Sequence, residues 1–358
     1  MIIAAGINME IEKTGHSRLN EKDWRALPFG SVFADHMLEM HYEDGIWQAP
    51  RIVPFGPVPM LPSISALHYG QTIFEGMKAY RDVAGRSLLF RPKDHLARLN
   101  KSAERLCMPA IPEDVFIKGL EQLIKLDEAW VPSDADSALY LRPIYFATDP
   151  FIGVKVSTTY SLYILTCPVH KFYTKPVNVW VERNHARAAE GGVGYVKTAG
   201  NYARSMLSGK KAKEQGYDVV LWLDATHRRF VEEFSTMNAF FVIDDFVVTP
   251  RLSSTILAGI TRDTIIHLLR EQGIQVFERE VSIDELHDAS QRGLLKEAFG
   301  SGTAAVVMPV ASLTHEGRLM QLLDPATWQI MNTVAPKLAA IRAGQEPDAH
   351  NWIHYIDV

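Results

Sequence analysis

Apolar residues along the chain recur with two periods, one typical of strands and one typical of helices. The runs 87–90, 137–146 and 160–167 predict strands, because each is short and dense in aliphatic and aromatic residues. Between the first two runs, apolar spacings of three and four predict two helices, and Pro92 fits the first position of the earlier one. Their apolar faces are Leu96, Leu99, Ala103 and Leu106, and then Phe116, Leu120, Leu123 and Ile124.

The alternation of strands and helices begins again after residue 176. The predicted elements are a strand at 177–181, a helix with the pattern Ala203, Met206 and Leu207 that ends at Gly216, a strand at 218–224 and a hairpin at 237–249. They continue with a helix capped by Thr261 and ended by Gly273, a strand at 275–279 and a short helix from Ile283. Helices and hairpins mixed in this way predict an α+β fold with mixed sheets rather than a doubly wound parallel sheet.

The length of the chain and one irregular stretch predict two domains. A chain of 358 residues is long for a single hydrophobic core. Residues 168–176 combine prolines with lysine and histidine, and we interpret them as an interdomain linker. Residues 1–167 are therefore predicted to form a small N-terminal domain and residues 177–358 a larger C-terminal one. Residues up to about Pro28 are polar and irregular, which predicts an arm.

Composition and charge argue against several kinds of partner. The formal net charge is −5 and no basic run is present, so we expect no nucleic acid. No apolar run is long enough to span a bilayer and residues 1–6 lack a signal-peptide pattern, so we expect no membrane association. Cys107 and Cys167 lie far apart without metal-type spacing, which predicts a reduced, cytoplasmic protein that binds no metal.

Lys197 is the residue whose surroundings most clearly indicate chemistry. It lies between the glycine-rich run 191–194 and Gly200, and a helical pattern follows directly. Glycines permit sharp turns and the close approach of a ligand. A lysine that is partly buried loses its proton more readily than one in water. The combination predicts a Schiff-base lysine, and the alternative is a glycine loop that carries a solvated lysine.

A Schiff-base lysine needs an aldehyde cofactor, and pyridoxal phosphate needs an anion site, an acid at its pyridine nitrogen and a donor to its ring oxygen. Arg91, the helix start 259–261 and the small-residue turn 300–303 are candidates for the anion site. Glu233 is a candidate for the pyridine nitrogen and Tyr202 for the ring oxygen. Each has an ordinary alternative role (ion pair, helix cap, plain turn or solvated hairpin edge), and only the complete set is specific.

Seven motifs in a fixed order carry a family resemblance. They are His68-Tyr69-Gly70 with Phe74-Glu75-Gly76, Phe90-Arg91-Pro92, Tyr140-Leu141-Arg142-Pro143, Lys197 to Tyr202, Glu233 to Asn238, Gly259 to Arg262, and Gly300 to Ala304. The chain resembles the fold-type IV pyridoxal-phosphate aminotransferases, and within them the branched-chain amino-acid aminotransferases. The resemblance covers nearly the whole chain after the N-terminal arm. It implies the two-domain fold of the D-amino-acid aminotransferase type.

The resemblance also implies a role for individual residues. Lys197 would carry the cofactor and move a proton between cofactor and substrate. The residues that would hold the cofactor are Arg91, Tyr202, Glu233, Ile260, Thr261 and Thr303. Those that would hold the substrate are Tyr69, Phe74, Tyr140, Arg142, Thr303 and Ala304. Family members are at least dimers, and Ile152 and Val154 would lie in a loop that closes the pocket of the neighbouring subunit.

The activity implied by the resemblance is pyridoxal-phosphate-dependent transamination between leucine, isoleucine or valine and 2-oxoglutarate, in a cytoplasmic homodimer. A D-amino-acid transaminase or an aminodeoxychorismate lyase would share the fold, but Tyr140 and Arg142 on one strand favour the branched-chain enzyme. The alternative from another class is a non-catalytic ligand-binding protein. Phe172 departs from the family pattern, because many members have a pocket tyrosine there. Tyr173 is next to it, and if Phe172 takes the place, the missing hydroxyl would weaken recognition of glutamate.

Overall fold

The chain folds into two units, each with its own sheet and its own hydrophobic core. The computed structural model describes residues 9–21, 23–173 and 175–356. The first unit is Met1–Phe172 with Ala340–Val358, and the second is Tyr173–Ala339. Helices packed on sheets of mixed strand direction confirm the predicted α+β class. Residues 1–6, for which no signal peptide was predicted, lie outside the described residues.

Ten strands in the described part of the first unit form its sheet. They are β1 (Glu10–Ile11), β2 (His36–Glu43), β3 (Ile46–Trp47), β4 (Arg51–Pro54), β5 (Thr72–Phe74), β6 (Met77–Arg81), β7 (Ser87–Phe90), β8 (Ala138–Ala147), β9 (Tyr160–Val169) and a C-terminal strand, Ile353–Tyr355. The order across the sheet is β1, β4, β2, β9, β8, β6, β7 and the C-terminal strand, with β3 on β2 and β5 on β8. The long strands β8 and β9 are central, so their side chains occupy the middle of the unit.

The helices of the first unit are α1 (Ser65–Tyr69), α2 (Pro92–Arg105) and α3 (Glu113–Leu126). Pro92 is the first residue of α2, as predicted, because its missing N–H has no acceptor to lose there. The buried faces of α2 and α3 carry the predicted apolar residues, Leu106 excepted, which ends α2 and is only partly buried. Burial of these faces against the sheet forms the first core.

A buried ion pair fixes the break between β5 and β6. The Glu75 carboxylate is fully buried and receives two hydrogen bonds from the Arg98 guanidinium, at 2.8 and 2.6 Å. His95 Nδ1 lies 3.4 Å from the same carboxylate. Burial alone would raise the pKa of Glu75, but Arg98 and His95 outweigh burial and hold that pKa well below its usual range. The pair therefore ties α2 to the loop that follows Phe74.

We expect Glu75→Gln to destabilise the protein by about 3–5 kcal/mol, because a buried guanidinium loses its charged partner. Since the pKa of Glu75 is lowered on folding, its contribution is present above its unfolded value of 4.5 and is lost as the pH falls. Urea unfolding at neutral and acidic pH measures both effects. The control is Glu128→Gln, which removes the more exposed carboxylate facing Arg81. Equal losses in the two variants would contradict the role assigned to Glu75.

Nine strands in the described part of the second unit form its sheet. They are β10 (Val177–Glu182), β11 (Val219–Leu223), β12 (Val231–Phe234), β13 (Met237–Ile243), β14 (Phe246–Thr249), β15 (Val276–Glu278), β16 (Leu295–Gly302), β17 (Val306–His315) and β18 (Arg318–Gln321). The order β12, β11, β10, β17, β16, β13 returns to β12, because β12 also pairs with β13. These six strands thus form a closed ring. The remaining strands β14, β15 and β18 extend it.

The helices that begin in the second unit are α4 (Ala199–Glu214), α5 (Ile260–Glu271), α6 (Ile283–Gln291) and α7 (Ile330–Arg342). Gly216 and Gly273 follow α4 and α5 with φ of +84° and +75°, as predicted for helix ends. The predicted hairpin is β13 and β14, joined by Asp244 and Asp245, and Asp244 also has a positive φ. The predicted strands and the helix from Ile283 are all present.

Helix α4 is present as predicted, but the apolar residues of its helical pattern do not face the core. Ala203, Met206 and Leu207 are exposed, and Met206 keeps 69% of its surface. The buried residues of this helix are Asn201, Ser208 and Ala212. The helix is turned in this way because the Asn201 side chain donates hydrogen bonds into the preceding loop, which an outward-facing asparagine could not reach.

The predicted cap of α5 is wrong. Gly259, not Thr261, is the capping residue, and α5 begins at Ile260. A Cβ atom at position 259 would lie 1.9 Å from Asn238 Oδ1, so only glycine fits between the helix start and strand β13. The predicted turn 300–303 is displaced as well, because residues 300–302 end strand β16 and the turn occupies residues 303–305.

The chain ends differ from the sequence pattern in two places. Residues 10 and 11, in the predicted arm, form β1 and pair in parallel with β4; residues 1–8 and 22 lie outside the described residues. Residues 340–358 belong to the first unit, because the C-terminal strand pairs with β7. The boundaries at 167 and 177 remain predictions, and we note that β9 extends to Val169.

Candidate active site

Lys197 lies at the end of a tight loop, two residues before helix α4 begins. Its side chain is partly buried, and Nζ donates a hydrogen bond to the Tyr202 hydroxyl at 2.9 Å. Tyr202 lies in the first turns of α4, so the spacing of five residues brings the amine and the phenol together. The structure thus places the predicted cofactor lysine beside the residue predicted to contact the cofactor's ring oxygen.

The loop before Lys197 is held from within α4. Asn201 Nδ2 donates to the carbonyl oxygens of Val193 and Val196, at 2.8 and 2.9 Å. Gly194 is required here, because a Cβ at this position would lie 2.7 Å from the backbone of Thr255. Asn201, within the same motif as Lys197, therefore fixes the backbone of the loop that orients the lysine side chain.

Glu233 is buried on β12 and receives hydrogen bonds from two uncharged donors. Asn238 Nδ2 and the backbone N–H of Leu257 donate to Oε1, at 3.1 and 3.0 Å. Arg187 Nη2 lies 3.0 Å from Oε2. Donors of this kind favour the ionised form of a carboxyl group. The contacts therefore hold Glu233 as a buried carboxylate of fixed orientation, as a partner of a protonated ring nitrogen must be.

Arg187 is a site residue that the sequence analysis missed. Its guanidinium is buried, and Nη2 contacts the carbonyl oxygens of Gly194 and Thr255 as well as Glu233. One side chain thus connects the lysine loop to the carboxylate. Little in the sequence indicated this contact, because Arg187 lies 46 positions before Glu233 and outside the motifs that carry the family resemblance.

A small cavity connects these side chains. Its volume is about 10 Å³, roughly the space of one water molecule. Arg187, Tyr202 and Glu233 all line it, together with Asn201 and Thr236. The second unit therefore brings Lys197, Tyr202 and Glu233 into one local arrangement.

Four further predicted site residues lie in the second unit, at two places. Ile260 and Thr261 are buried in the first turn of α5, where the positive end of the helix dipole favours an anion. Thr303 and Ala304 lie in the turn between β16 and β17, partly buried. Ser301, just before this turn, is buried, and its hydroxyl has no hydrogen-bond partner among the described residues. It pairs across the sheet with Asn238, so both side chains point to the same face.

The first unit brings together Phe74, Tyr140 and Arg142. Arg142 Nη2 donates to the Tyr140 hydroxyl at 3.1 Å, and its guanidinium lies 4.7 Å from the centre of the Phe74 ring. Tyr140 and Arg142 are two apart on β8, so both point to the same face, as predicted. Arg142 Nε is buried and has no hydrogen-bond acceptor among the residues that the structure describes. The group is therefore an apolar surface that contains one cation with an unused donor.

Phe29 is a second residue that the sequence analysis missed. Its ring packs edge-to-face on Tyr140, with centroids 5.0 Å apart, and on Phe172, with centroids 5.5 Å apart. Phe172, the position where a pocket tyrosine was expected, thus joins the aromatic side of this group. No pattern indicated Phe29, because it lies in the irregular segment before β2.

Arg91 adopts a backbone conformation that is unusual for an arginine. Its φ is +53°, in the left-handed region, and its N–H donates to the carbonyl oxygen of Trp352 at 2.6 Å. The side chain is largely buried, with Nε bonded to Asp94 Oδ2 at 2.7 Å and the guanidinium over the Trp352 ring. Such strain of about 1–3 kcal/mol persists where the surroundings impose it, often at functional sites.

The loop that was predicted to reach a neighbouring subunit is exposed in the first unit. Ile152 and Val154 keep 70% and 88% of their surface. Asp149 anchors the loop by accepting hydrogen bonds from Thr158 and Thr159 and by pairing with Lys155 at 2.7 Å. Tyr69, at the end of α1, is also exposed.

No helix in the described ranges is both long enough and apolar enough to cross a membrane.

Comparison with known proteins identifies a family and named relatives. The family model "Amino-transferase class IV" matches residues 72–313. The chain is 46% identical over 349 residues to the branched-chain-amino-acid transaminase 1 of Bacillus subtilis, which covers 96% of this chain and 98% of that protein. It is 41% identical over 334 residues to the branched-chain-amino-acid aminotransferase of Mycolicibacterium smegmatis, with 91% of each chain covered.

Solved structures show the same similarity. The branched-chain amino acid aminotransferase of Escherichia coli matches with a TM-score of 0.75 at 26% identity, over 89% of this chain and 99% of that one. The PLP-form (holo-form) of the branched-chain amino acid aminotransferase from Thermobaculum terrenum also matches with a TM-score of 0.75, at 25% identity, over 91% of this chain and 99% of that one.

Proposed function

This chain belongs to the class IV aminotransferases, which are pyridoxal-phosphate enzymes, and we propose that it transfers the amino group of leucine, isoleucine or valine to 2-oxoglutarate. The products are the branched-chain 2-oxo acids and L-glutamate. The names of the similar proteins support this reaction over that of a D-amino-acid transaminase or an aminodeoxychorismate lyase. Steady-state rates with a panel of L- and D-amino donors test it.

The observation that carries the proposal is the surroundings of Arg142. Its guanidinium lies against the rings of Phe74 and Tyr140, while Nε is buried without an acceptor among the described residues. A transaminase of this kind must accept an apolar branched side chain and a carboxylate in turn. The aromatic rings offer apolar surface, where each buried methylene gains roughly 0.8 kcal/mol. The unused Nε–H of Arg142 can donate a hydrogen bond to a substrate carboxylate, which would otherwise be costly to desolvate.

The residues of the second unit fit pyridoxal phosphate. The cofactor's aldehyde requires an amine, and its ring oxygen requires a donor such as the phenol beside that amine. Its pyridine nitrogen requires a carboxylate such as Glu233, and its phosphate requires an anion site such as the start of α5. The buried hydroxyl of Ser301, which has no hydrogen-bond partner in the described part of the chain, adds a donor near the predicted Thr303. We therefore propose Lys197, Tyr202, Glu233, Ile260, Thr261 and Thr303 as cofactor residues, and Arg91 as a further phosphate ligand.

When bound, pyridoxal phosphate supplies an electron sink for the bond that breaks at the substrate's α-carbon. Lys197 would first hold the cofactor and then, as a free amine, take the proton from that carbon. Tyr202 accepts a hydrogen bond from Nζ and so orients the amine. Glu233 would stabilise positive charge on the pyridine nitrogen of the bound cofactor. Tyr69 and Ala304 remain proposed substrate contacts.

We expect Arg142→Ala to weaken glutamate and 2-oxoglutarate far more than leucine. Loss of one hydrogen bond to a charged group costs about 1.5–3 kcal/mol, or roughly 10- to 100-fold in kcat/KM for the acidic substrates. Leucine should lose less, because its side chain contacts the rings of Phe74 and Tyr140 rather than the charge. Half-reactions with each substrate alone give the two ratios separately.

The matched control is Arg81→Ala, which removes another partly buried cation of the first unit, one paired with Glu128 at 3.1 Å. That variant should leave the ratio of the leucine and glutamate half-reactions as it is in the wild type. If Arg142→Ala lowered both half-reactions equally, Arg142 would support only the fold, and recognition of the two substrates would need another explanation.

We also propose that the protein acts as a cytoplasmic homodimer. Ile152 and Val154 form an exposed apolar tip on an anchored loop, which is suited to contact a second copy of the chain. Cys107 and Cys167 are both free thiols, which suits a reducing compartment.

A further inference from the structure

One asparagine contacts both the buried carboxylate of Glu233 and the loop that leads into α5. Asn238 is the second residue of β13, and 5% of its surface is exposed. It lies directly opposite Glu233 in the antiparallel pair of β12 and β13, so both side chains point to the same face of the sheet. Asn238 Nδ2 donates to Glu233 Oε1 at 3.1 Å and to the Leu257 carbonyl oxygen at 2.8 Å. Both N–H groups of the amide are therefore used.

Leu257 closes a ring of three hydrogen bonds. Its backbone N–H donates to the same carboxylate oxygen, Glu233 Oε1, at 3.0 Å, while its carbonyl oxygen accepts from Asn238. Glu233, Asn238 and Leu257 are thus each bonded to the other two. Because a shift of the loop at residue 257 would break two of these bonds at once, the loop and the carboxylate are held together.

The same side chain also packs against the start of α5. A Cβ atom on Gly259, the capping residue of α5, would overlap Asn238 Oδ1, so the amide lies close against the backbone there. Asn238 therefore holds the loop at Leu257 and supports it again two residues later. The first turn of α5, from Ile260, is the proposed phosphate site, and Glu233 is the proposed partner of the pyridine nitrogen.

We propose that Asn238 is a positioning residue that fixes the separation between the two ends of the cofactor site, the carboxylate of Glu233 and the start of α5. Pyridoxal phosphate is a rigid ring with a short phosphate arm, so both of its ends bind together only when the protein holds their partners at a matching separation. The link to the cofactor rests on the proposed function. The effect of Asn238 on the loop of the apoprotein does not.

Hydrogen exchange of the apoprotein, read by mass spectrometry, tests the effect on the loop without any reaction. Asn238→Asp keeps the shape of the side chain, but it removes both N–H donors and sets a carboxylate against Glu233 and the Leu257 carbonyl oxygen. We expect the backbone amides of residues 255–259 to exchange at least about 10-fold faster than in the wild type, the effect of losing one hydrogen bond to a charged group. Unchanged exchange in this segment would overturn the proposal.

The matched control is Asn332→Asp in the first turn of α7. Asn332 Nδ2 also donates to carbonyl oxygens, those of Pro325 and Trp328, so the control loses bonds of the same kind elsewhere in the second unit. It should leave the exchange of residues 255–259 as it is in the wild type. If Asn238→Asp fails to fold, Asn238→Ala serves instead, because it removes the donors without adding a charge.

The affinities of the apoprotein for pyridoxal phosphate and for pyridoxal, which lacks the phosphate, test the coupling of the two ends. The ratio of the two affinities should be at least roughly 10-fold smaller in Asn238→Asp than in the wild type, because ring and phosphate no longer find their partners at the matching separation. Asn332→Asp should keep the wild-type ratio. Equal losses of affinity for both compounds would refute the positioning role. If the wild type binds neither compound, the proposed function fails, and the exchange data alone decide whether Asn238 holds the loop.

Discussion

Replacement of Lys197 by alanine is expected to reduce amino-group transfer by at least about 10⁴-fold, the upper end of what a positioned proton-transfer group contributes. The amine would act twice, as the point of attachment and as the base at the substrate's α-carbon. Its contact with Tyr202 at 2.9 Å and the loop fixed by Asn201 show that it is oriented rather than solvated. Single-turnover reaction with L-leucine measures the loss.

Covalent mapping separates this role from a general loss of structure. Borohydride reduction of the reconstituted wild type, followed by peptide mapping, should place the pyridoxyl group on Lys197. Lys210→Ala, an exposed lysine on the same helix α4, should keep both the label and the activity. Label on any other lysine would overturn the assignment of Lys197.

Glu233→Gln is expected to lower the rate by about a hundredfold or more, some 3 kcal/mol or above in transition-state stabilisation. Glutamine keeps the shape of the side chain and removes the charge that faces the proposed ring nitrogen. The loss should appear in kcat rather than in KM, because positive charge on that nitrogen matters most when the α-carbon bond breaks. Steady-state rates with leucine and 2-oxoglutarate measure both constants.

Because Arg187 is a buried cation beside Glu233, a second variant is needed to interpret the effect of Glu233→Gln. Glu233→Gln leaves Arg187 without its carboxylate, and this alone can destabilise the fold. The double variant Arg187→Gln with Glu233→Gln removes both charges, so it should recover stability without recovering the rate. Recovery of the rate in the double variant would show that Glu233 acts only by neutralising Arg187. A larger loss in Glu232→Gln than in Glu233→Gln would show that the assignment along β12 is wrong by one residue.

Local patterns predicted most of the elements and the two short-range pairs of the candidate site. Lys197 and Tyr202 are five residues apart across a helix start, and Tyr140 and Arg142 are two apart on a strand. Such spacings translate directly into proximity, because helix and strand geometry is fixed. The structure shows both contacts.

Long-range packing accounts for what the sequence could not predict. Arg187 reaches Glu233 only because the loop before Lys197 folds back towards β12. The helical pattern of Ala203, Met206 and Leu207 predicted α4 but not its orientation, which depends on the hydrogen bonds that Asn201 donates to the preceding loop. The place of the C-terminal strand in the first unit depends on pairing with β7, more than 250 residues earlier in the chain (353 − 90 = 263).

The visible absorbance of the reconstituted protein, followed after mixing with one amino acid at a time, tests most directly whether this chain is a branched-chain transaminase. Leucine, isoleucine and valine should each convert the bound cofactor from its aldehyde to its amine form, and 2-oxoglutarate added afterwards should restore the first spectrum. D-Alanine should leave the spectrum unchanged. Conversion by D-alanine together with no response to any of the three branched-chain amino acids would contradict the proposed function.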